Sequence, residues 1–179
     1  MRIAAGLHIV MSGALGMDLS DPLDCNVYLI GTGESWIMFD AGAGRSVDSV
    51  LAALPAEGID PARIEALLLT HGHADHSAGA ARLRQQVGMR VIAGAQTAAM
   101  VAGADEAAIS LTAARRAGGY PADFVYRACP IGRVVADNET MQFGETRVTA
   151  VATPGHSHDH LAFLVTQPGR TVLVSGDAL

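Results

Sequence analysis

His71-Gly72-His73-Ala74-Asp75-His76 follows directly on the apolar run Ala66-Leu67-Leu68-Leu69-Thr70. That run reads as a buried β-strand, and it delivers His71 to its C-terminal lip. Side chains two apart in extended backbone project to the same side, so His71 and His73 can grip one ion. The chain then turns into a helix near Asp75, which lets Asp75 and His76 face a second ion close to the first. Imidazole nitrogen and carboxylate oxygen suit zinc, iron or manganese, and small Gly72 and Ala74 let the loop pass near the metals. A surface loop that is merely polar would not gather three histidines and an aspartate into six residues behind a buried strand.

The strand-then-polar arrangement recurs downstream. Thr153-Pro154-Gly155-His156-Ser157-His158-Asp159-His160 follows a strand ending at Val151. Pro154 and Gly155 make a tight turn that aims His156 from the strand end, with His158 and His160 as alternates. Leu173-Val174-Ser175-Gly176-Asp177 is an apolar strand closed by one acid. An unpaired carboxylate there is costly without a partner, and a bridging position between two cations would supply one. Asp40, after Trp36-Ile37-Met38-Phe39, has the same setting. It either orients a ligand from behind or caps the turn at Ala41-Gly42. His8, alone near the N-terminus, reads as an ordinary core or edge residue.

Apolar periodicity predicts strands at Leu7–Met11, Val27–Ile30, Trp36–Phe39, Ala66–Leu69 and Val91–Ala93, then at Arg133–Val135, Thr140–Phe143, Arg147–Ala152, Leu161–Val165 and Thr171–Ser175. Helical patterns cover Ser46–Leu54, Ala78–Val87 and an Ala-rich stretch from about Gln96 to Ala117, which Gly118-Gly119-Tyr120-Pro121 ends. The class is mixed α/β in a single domain over 1–179: two packed sheets with helices outside. A doubly wound parallel sheet fits less well, because several connections are too short for a crossover helix.

Composition narrows the function. Half of the 179 residues are apolar and 17% are charged, as in a globular domain. The formal charge is −6 and all twelve basic residues are arginine, so no lysine is available as a Schiff-base nucleophile or phosphate cation. The arginines are scattered, with Arg115-Arg116 the only adjacent pair; nucleic-acid binding needs a basic patch, and none is seen. No apolar run reaches the roughly 20 residues of a membrane span, and the N-terminus lacks a signal peptide's apolar region. The expected location is cytoplasmic, the expected partner a small-molecule substrate, with no nucleic acid and no membrane. Cys25 and Cys129 read as free thiols, Cys25 as a small buried residue close before a strand. Ser12–Met17, with its glycines and apolar side chains, reads as a substrate lid or a plain connecting loop.

Together these residues resemble the metallo-β-lactamase superfamily: the H-x-H-x-D-H loop at 71–76, the T-P-G-H turn at 153–156, the strand with Ser175-Gly176-Asp177, and the Phe39-Asp40-Ala41-Gly42 turn. The resemblance implies an αββα sandwich with metals in a cleft at one edge of the sheets. It implies His71, His73 and His156 as ligands of the first metal, Asp75 and His76 as ligands of the second, and Asp177 as the bridge. The implied cofactor is one or two zinc ions, with iron or manganese as alternatives. The implied chemistry is attack of a metal-bound hydroxide on a carbonyl-type bond in a thioester, lactone or related ester or amide. Asp75 is its catalytic residue, orienting the hydroxide or shuttling a proton. Compact spacing and the T-P-G-H turn look more like the hydroxyacylglutathione hydrolase and lactonase branch than like antibiotic-degrading enzymes.

Two rivals share the residues. Persulfide dioxygenases of the same superfamily hold one iron through residues that would correspond to His71, His156 and Asp177. A degenerate, non-catalytic metal-binding module is the other. The family adds a further histidine several tens of residues beyond the position of Asp177, whereas this sequence stops at Leu179. The expectation is therefore a C-terminally incomplete sandwich, a fragment of a longer protein. Its first metal site would outlast the second, and its exposed sheet edge would invite a homo-oligomer.

Overall fold

A computed structural model describes residues 1–178. Seven strands form one sheet in chain order: β1 (Arg2–Ala4), β2 (Leu7–Met11), β3 (Val27–Gly31), β4 (Trp36–Phe39), β5 (Ile64–Leu68), β6 (Arg90–Gly94) and β7 (Arg133–Val135). The β1–β4 half is antiparallel, and β4, β5, β6 and β7 run parallel. Parallel neighbours need long crossovers, and helices supply them. α1 (Val47–Ala53) lies between β4 and β5, α2 (Ala74–Ser77) and α3 (Ala80–Val87) between β5 and β6, and α4 (Ala95–Gly103) and α5 (Leu111–Arg116) between β6 and β7. The second sheet is an antiparallel meander of β8 (Thr140–Phe143), β9 (Thr146–Ala152), β10 (Leu161–Gln167) and β11 (Arg170–Val174), ordered β11-β10-β9-β8.

Alternation along the strands sorts side chains into two cores. Met38, Leu67, Leu69 and Val91 face Val47, Leu54, Leu83 and Val101 of the helices. Ile37, Phe39, Leu68 and Ile92 point the other way, onto Met141, Val148, Phe163 and Val165 of the second sheet. Phe39 and Phe163 meet there with ring centroids 5.6 Å apart. The described residues thus give the α, β and β layers of the expected sandwich. Among them no helix is long and apolar enough to cross a membrane.

Three local readings are corrected. β1 was not expected, because its residues are all exposed and only pairing with β2 defines it. The Ala-rich stretch is two helices, not one. Ala104 and Ser110 adopt left-handed backbone (φ 49° and 61°) at the ends of the intervening segment, where the Asp105 carboxylate accepts from the amides of Ala107 and Ala108. Asp favours such local bonding over continuing a helix. Finally, the helix expected from Ala78 is preceded by the separate turn α2, and Gly79 divides them. A Cβ there would lie 2.0 Å from the Ala41 carbonyl oxygen, so only glycine lets the helix start against the β4 turn.

Candidate metal centre

β5 ends at Leu68, and the loop after it carries His71 and His73 into α2. The β9–β10 loop carries His156, and Asp177 follows β11. Parallel strands expose ligand sites beyond their carboxyl ends, and here β5 joins two strand ends of the second sheet at one edge of the sandwich. Residues far apart in sequence therefore meet.

His71, His73 and His156 each offer a ring nitrogen, all within 4.8 Å of one another. Nδ1 of His73 lies 2.9 Å from Nε2 of His156. Nitrogens around a tetrahedral zinc, bonded at about 2.0–2.1 Å, stand about 3.3 Å apart, so these rings have nearly the required spacing. Nε2 of His71 is buried and has no hydrogen-bond partner, although buried polar atoms are almost always partnered. A cation at the centre of the three rings would satisfy it. The residues present fit a metal ion.

His71, His76 and Asp177 form a second converging set within the same 4.8 Å limit. Asp177 turns one oxygen to each side: Oδ1 lies 3.2 Å from His76 Nε2, and Oδ2 lies 3.3 Å from His156 Nε2. That is the disposition a bridging carboxylate needs. Asp75 stands at the margin, with Oδ2 3.6 Å from His76 Nε2. The six residues singled out in the sequence are thus all brought to one edge.

Charge follows the same division. Burial, then the neighbouring His76 and His73, drives His71 far below the usual 6.5, and burial lowers His73. Both rings are neutral, which is the ligating form. Burial also opposes charge on His76, yet its pKa is raised well above 6.5 by Cys25, Asp40 and Asp177 facing it. Of these, the Cys25 thiol is itself pushed up to about 11 by burial. It is therefore neutral, and the two carboxylates hold the His76 proton, where a cation would serve equally. His76 in turn holds Asp177 below the usual carboxylate range.

The alternatives left open for Asp40 are resolved by its contacts. Its carboxylate accepts from Nδ1 of His76 at 2.9 Å and from the backbone and hydroxyl of Thr70 at 2.8 and 2.9 Å. The Thr70 hydroxyl gives its single proton to Asp40, so it can only accept from Nδ1 of His71, 2.9 Å away. Asp40 thereby orients one ring directly and another through Thr70, leaving His71 Nε2 bare and turning His76 Nε2 toward Asp177. This is the usual support behind metal-binding histidines. The backbone of Asp40 is left-handed, at φ 61°.

Other supports were not legible as such. Buried His160 accepts the Asp177 amide at Nε2 (3.1 Å) and donates from Nδ1 to Thr153 Oγ1 (2.8 Å). It holds the Asp177 backbone and takes no ligand position. Asp159 accepts from the amide of Gly72 and the hydroxyl of Thr97, both at 2.8 Å, and pins the metal loop. His158 is exposed. His8 packs edge-on against Trp36, with ring centroids 5.5 Å apart. Cys25 is half-buried and lies with Asp40 and His76, their candidate donor atoms within 4.8 Å. Cys25 therefore stands beside the site.

A cleft of about 330 Å³ opens beside these groups, lined by Asp75, His76, Asp177, Asn26, Leu15 and Gly16 among others. Leu15 is wholly exposed at its rim, 105% by relative area. The loop that carries it is tied down by the Ser12 hydroxyl, which bonds Asn26 Oδ1 and the Met17 amide, both at 2.6 Å.

Sequence comparison gives one family, and structure comparison gives the same fold. The pattern described as the metallo-beta-lactamase superfamily matches residues 20–179. An atrochrysone carboxyl ACP thioesterase of Aspergillus fumigatus is 30% identical over 157 residues, 84% of this chain and 41% of the relative. A hydroxyacylglutathione hydrolase of Acidiphilium cryptum is 29% identical over 147 residues, 81% of this chain and 48% of the relative. Among solved structures, a Cronobacter sakazakii metallo-β-lactamase with a HARLDQ motif superposes with a TM-score of 0.79 at 23% identity, covering 97% of this chain and 62% of its own. The chain therefore spans less than half the length of those two sequence relatives.

Proposed function

The chain belongs to the metallo-β-lactamase superfamily, and from that premise we propose that it is a metal-dependent hydrolase acting on a carbonyl-type bond, with a thioester as first choice ahead of lactones and other esters or amides. The observation that carries this reading is the unpartnered, buried Nε2 of His71 at the centre of His73, His156, His76 and Asp177. Two similar relatives are a thioesterase and a hydroxyacylglutathione hydrolase by name, which favours the thioester.

His71, His73 and His156 would hold one ion, His76 and Asp75 a second, and Asp177 would face both. Zinc suits this donor set, with iron or manganese as alternatives. A bound ion would supply Lewis acidity, polarising the substrate carbonyl and making a water molecule nucleophilic at neutral pH. The remaining work falls to the chain. Asp40 and Thr70 keep the imidazoles in the tautomers that leave Nε2 free. Asp75, carrying a carboxylate at the cleft wall, holds the proton that water gives up and returns it to the leaving group. Water is added across the acyl bond, giving a carboxylic acid and the protonated leaving group.

The test is elemental analysis of protein purified without added metal, followed by assay against thioesters, lactones and β-lactams. Zinc with thioester turnover that chelation abolishes supports the reading. One iron with oxygen consumption, or no turnover by the full-length protein on any of the panel, overturns it.

A further inference from the structure

Asp75 and the ring of Tyr120 together line two separate hollows. One is the 330 Å³ cleft on the His76 and Asp177 side. The other is a groove of about 180 Å³ beside His73, whose walls are Ala74, Ile109, Leu111, Ala114 and Tyr120 with Ser110. The Tyr120 hydroxyl is 3.4 Å from Asp75 Oδ1, and its ring packs on Phe124 with centroids 4.7 Å apart. Tyr120 is thus a partition, with the candidate catalytic carboxylate at its edge and a hollow on either side.

The small groove is rigidly built. Ile109 and Leu111 are each 1% exposed, so its floor is fixed by the core. Arg115 makes two bonds to the Glu106 carboxylate (2.8 and 3.2 Å) and one to the Phe124 carbonyl (2.9 Å). One guanidinium therefore locks the segment before α5, α5 itself and the Tyr120 loop together. The left-handed backbone of Ala104 and Ser110 brackets that segment. Such strain persists where surrounding structure enforces it, and it clusters at ligand clamps. Away from His73, Asp75 and Ser110 the groove's lining is apolar, whereas the larger cleft adds Asp24, Asn26, His76 and Asp177 to Asp75.

We propose that the groove beside His73 is the acyl subsite and Tyr120 its specificity-determining wall, so that the substrate is a short-chain acyl ester or thioester whose larger, polar leaving group lies in the cleft beside His76. This rests on the hydrolase reading above. With a volume of about 180 Å³, the groove accepts a short chain only.

The experiment is calorimetric titration of the zinc-loaded full-length protein with straight-chain alkyl hydroxamates of two to twelve carbons, beside hydrolysis of the matching thioesters of one common thiol. Hydroxamate affinity rises about fourfold per methylene until the chain fills the groove, within the two- to twelve-carbon series, and then stops rising. Ala114→Leu adds three carbons to the wall and leaves the core untouched, so it moves the break to chains about three carbons shorter. Tyr120→Ala moves the break to longer chains, and Tyr120→Phe leaves it in place. A series with no break, or a break that Ala114→Leu does not move, overturns the subsite even if thioesters are hydrolysed. A break that moves as stated without turnover of any thioester supports the groove as a chain-binding site and removes the hydrolase reading instead.

Discussion

The carboxylate of Asp40 lies 2.9 Å from Nδ1 of His76, on the opposite edge of the ring from Nε2, which lies 3.2 Å from Asp177. The ring is held between an orienting acid that faces no ion and an acid positioned to share one. Asp40 serves three donors with two oxygens, whereas an asparagine offers one oxygen and an unwanted N–H. Asn tolerates the left-handed backbone found here, so Asp40→Asn keeps the turn while spoiling the carboxylate's contacts. Zinc affinity falls about 10- to 100-fold, and the metal-free protein loses about 1–3 kcal/mol because a buried amide N–H then faces the donors of Thr70 and His76; chelator competition and thermal melts read the two effects.

The two halves of the centre differ in donors. His71, His73 and His156 offer three imidazoles, whereas His76, Asp75 and Asp177 offer one imidazole and two partly exposed carboxylates. Equilibrium dialysis of this chain gives two unequal zinc affinities, and His156→Ala abolishes the tighter one. Two equal sites would contradict the assignment.

Proton linkage makes the metal-free protein sensitive to mild acid. His71, His73 and His160 all have folded pKa values below 6.5, so between those values and 6.5 the unfolded chain binds more protons. Stability therefore falls as pH drops below 6.5, by about 1.4 kcal/mol per pH unit for buried His71 alone. His76, with its raised pKa, contributes in the opposite sense, losing stability as pH rises through its folded value. Urea melts of the metal-free protein at pH 7 and pH 5.5 show a lower midpoint at the acid value; an unchanged or higher midpoint would sink this account.

Gly176 has a left-handed backbone (φ 53°), and a Cβ there would lie 2.6 Å from Nε2 of His160 and 3.0 Å from Thr70 Cβ. Gly176→Ala thus pushes on the ring that holds the Asp177 amide and on the threonine behind His71. The expected cost is about 1–3 kcal/mol, with zinc affinity reduced as well. Chemical denaturation and zinc competition on the same preparation check both parts.

Much of this was legible because local pattern and position agree. The run from Ala66 to Thr70 names its strand, and the histidines that follow have no apolar reason to be there. His156 and Asp177 were legible by the same rule, since each follows a strand at a turn. The supports were not, because a hydrogen bond across 87 residues, such as that from Gly72 to Asp159, leaves no spacing to read. His160 differs from His156 only in which way its turn faces, and burial alone separates them. The break at Ala104 was hidden for a related reason: alanine favours helix strongly, and only Asp105 locally argues otherwise. Tyr120 looked like helix-ending turn chemistry, and its place between two hollows arises only when α5 packs beside the metal loop.

His73 and His156 are 83 residues apart in sequence, one on the loop after β5 and the other on the β9–β10 loop of the second sheet. An ion held by both would be a clasp across the two layers, and because it leaves when the chain unfolds it would stabilise the folded state by its binding free energy. With the clasp in place, both sheets open as one cooperative unit, and amides of β9 and β10 exchange with solvent no sooner than those of β5. Stripped of the ion, the meander is free to open by itself.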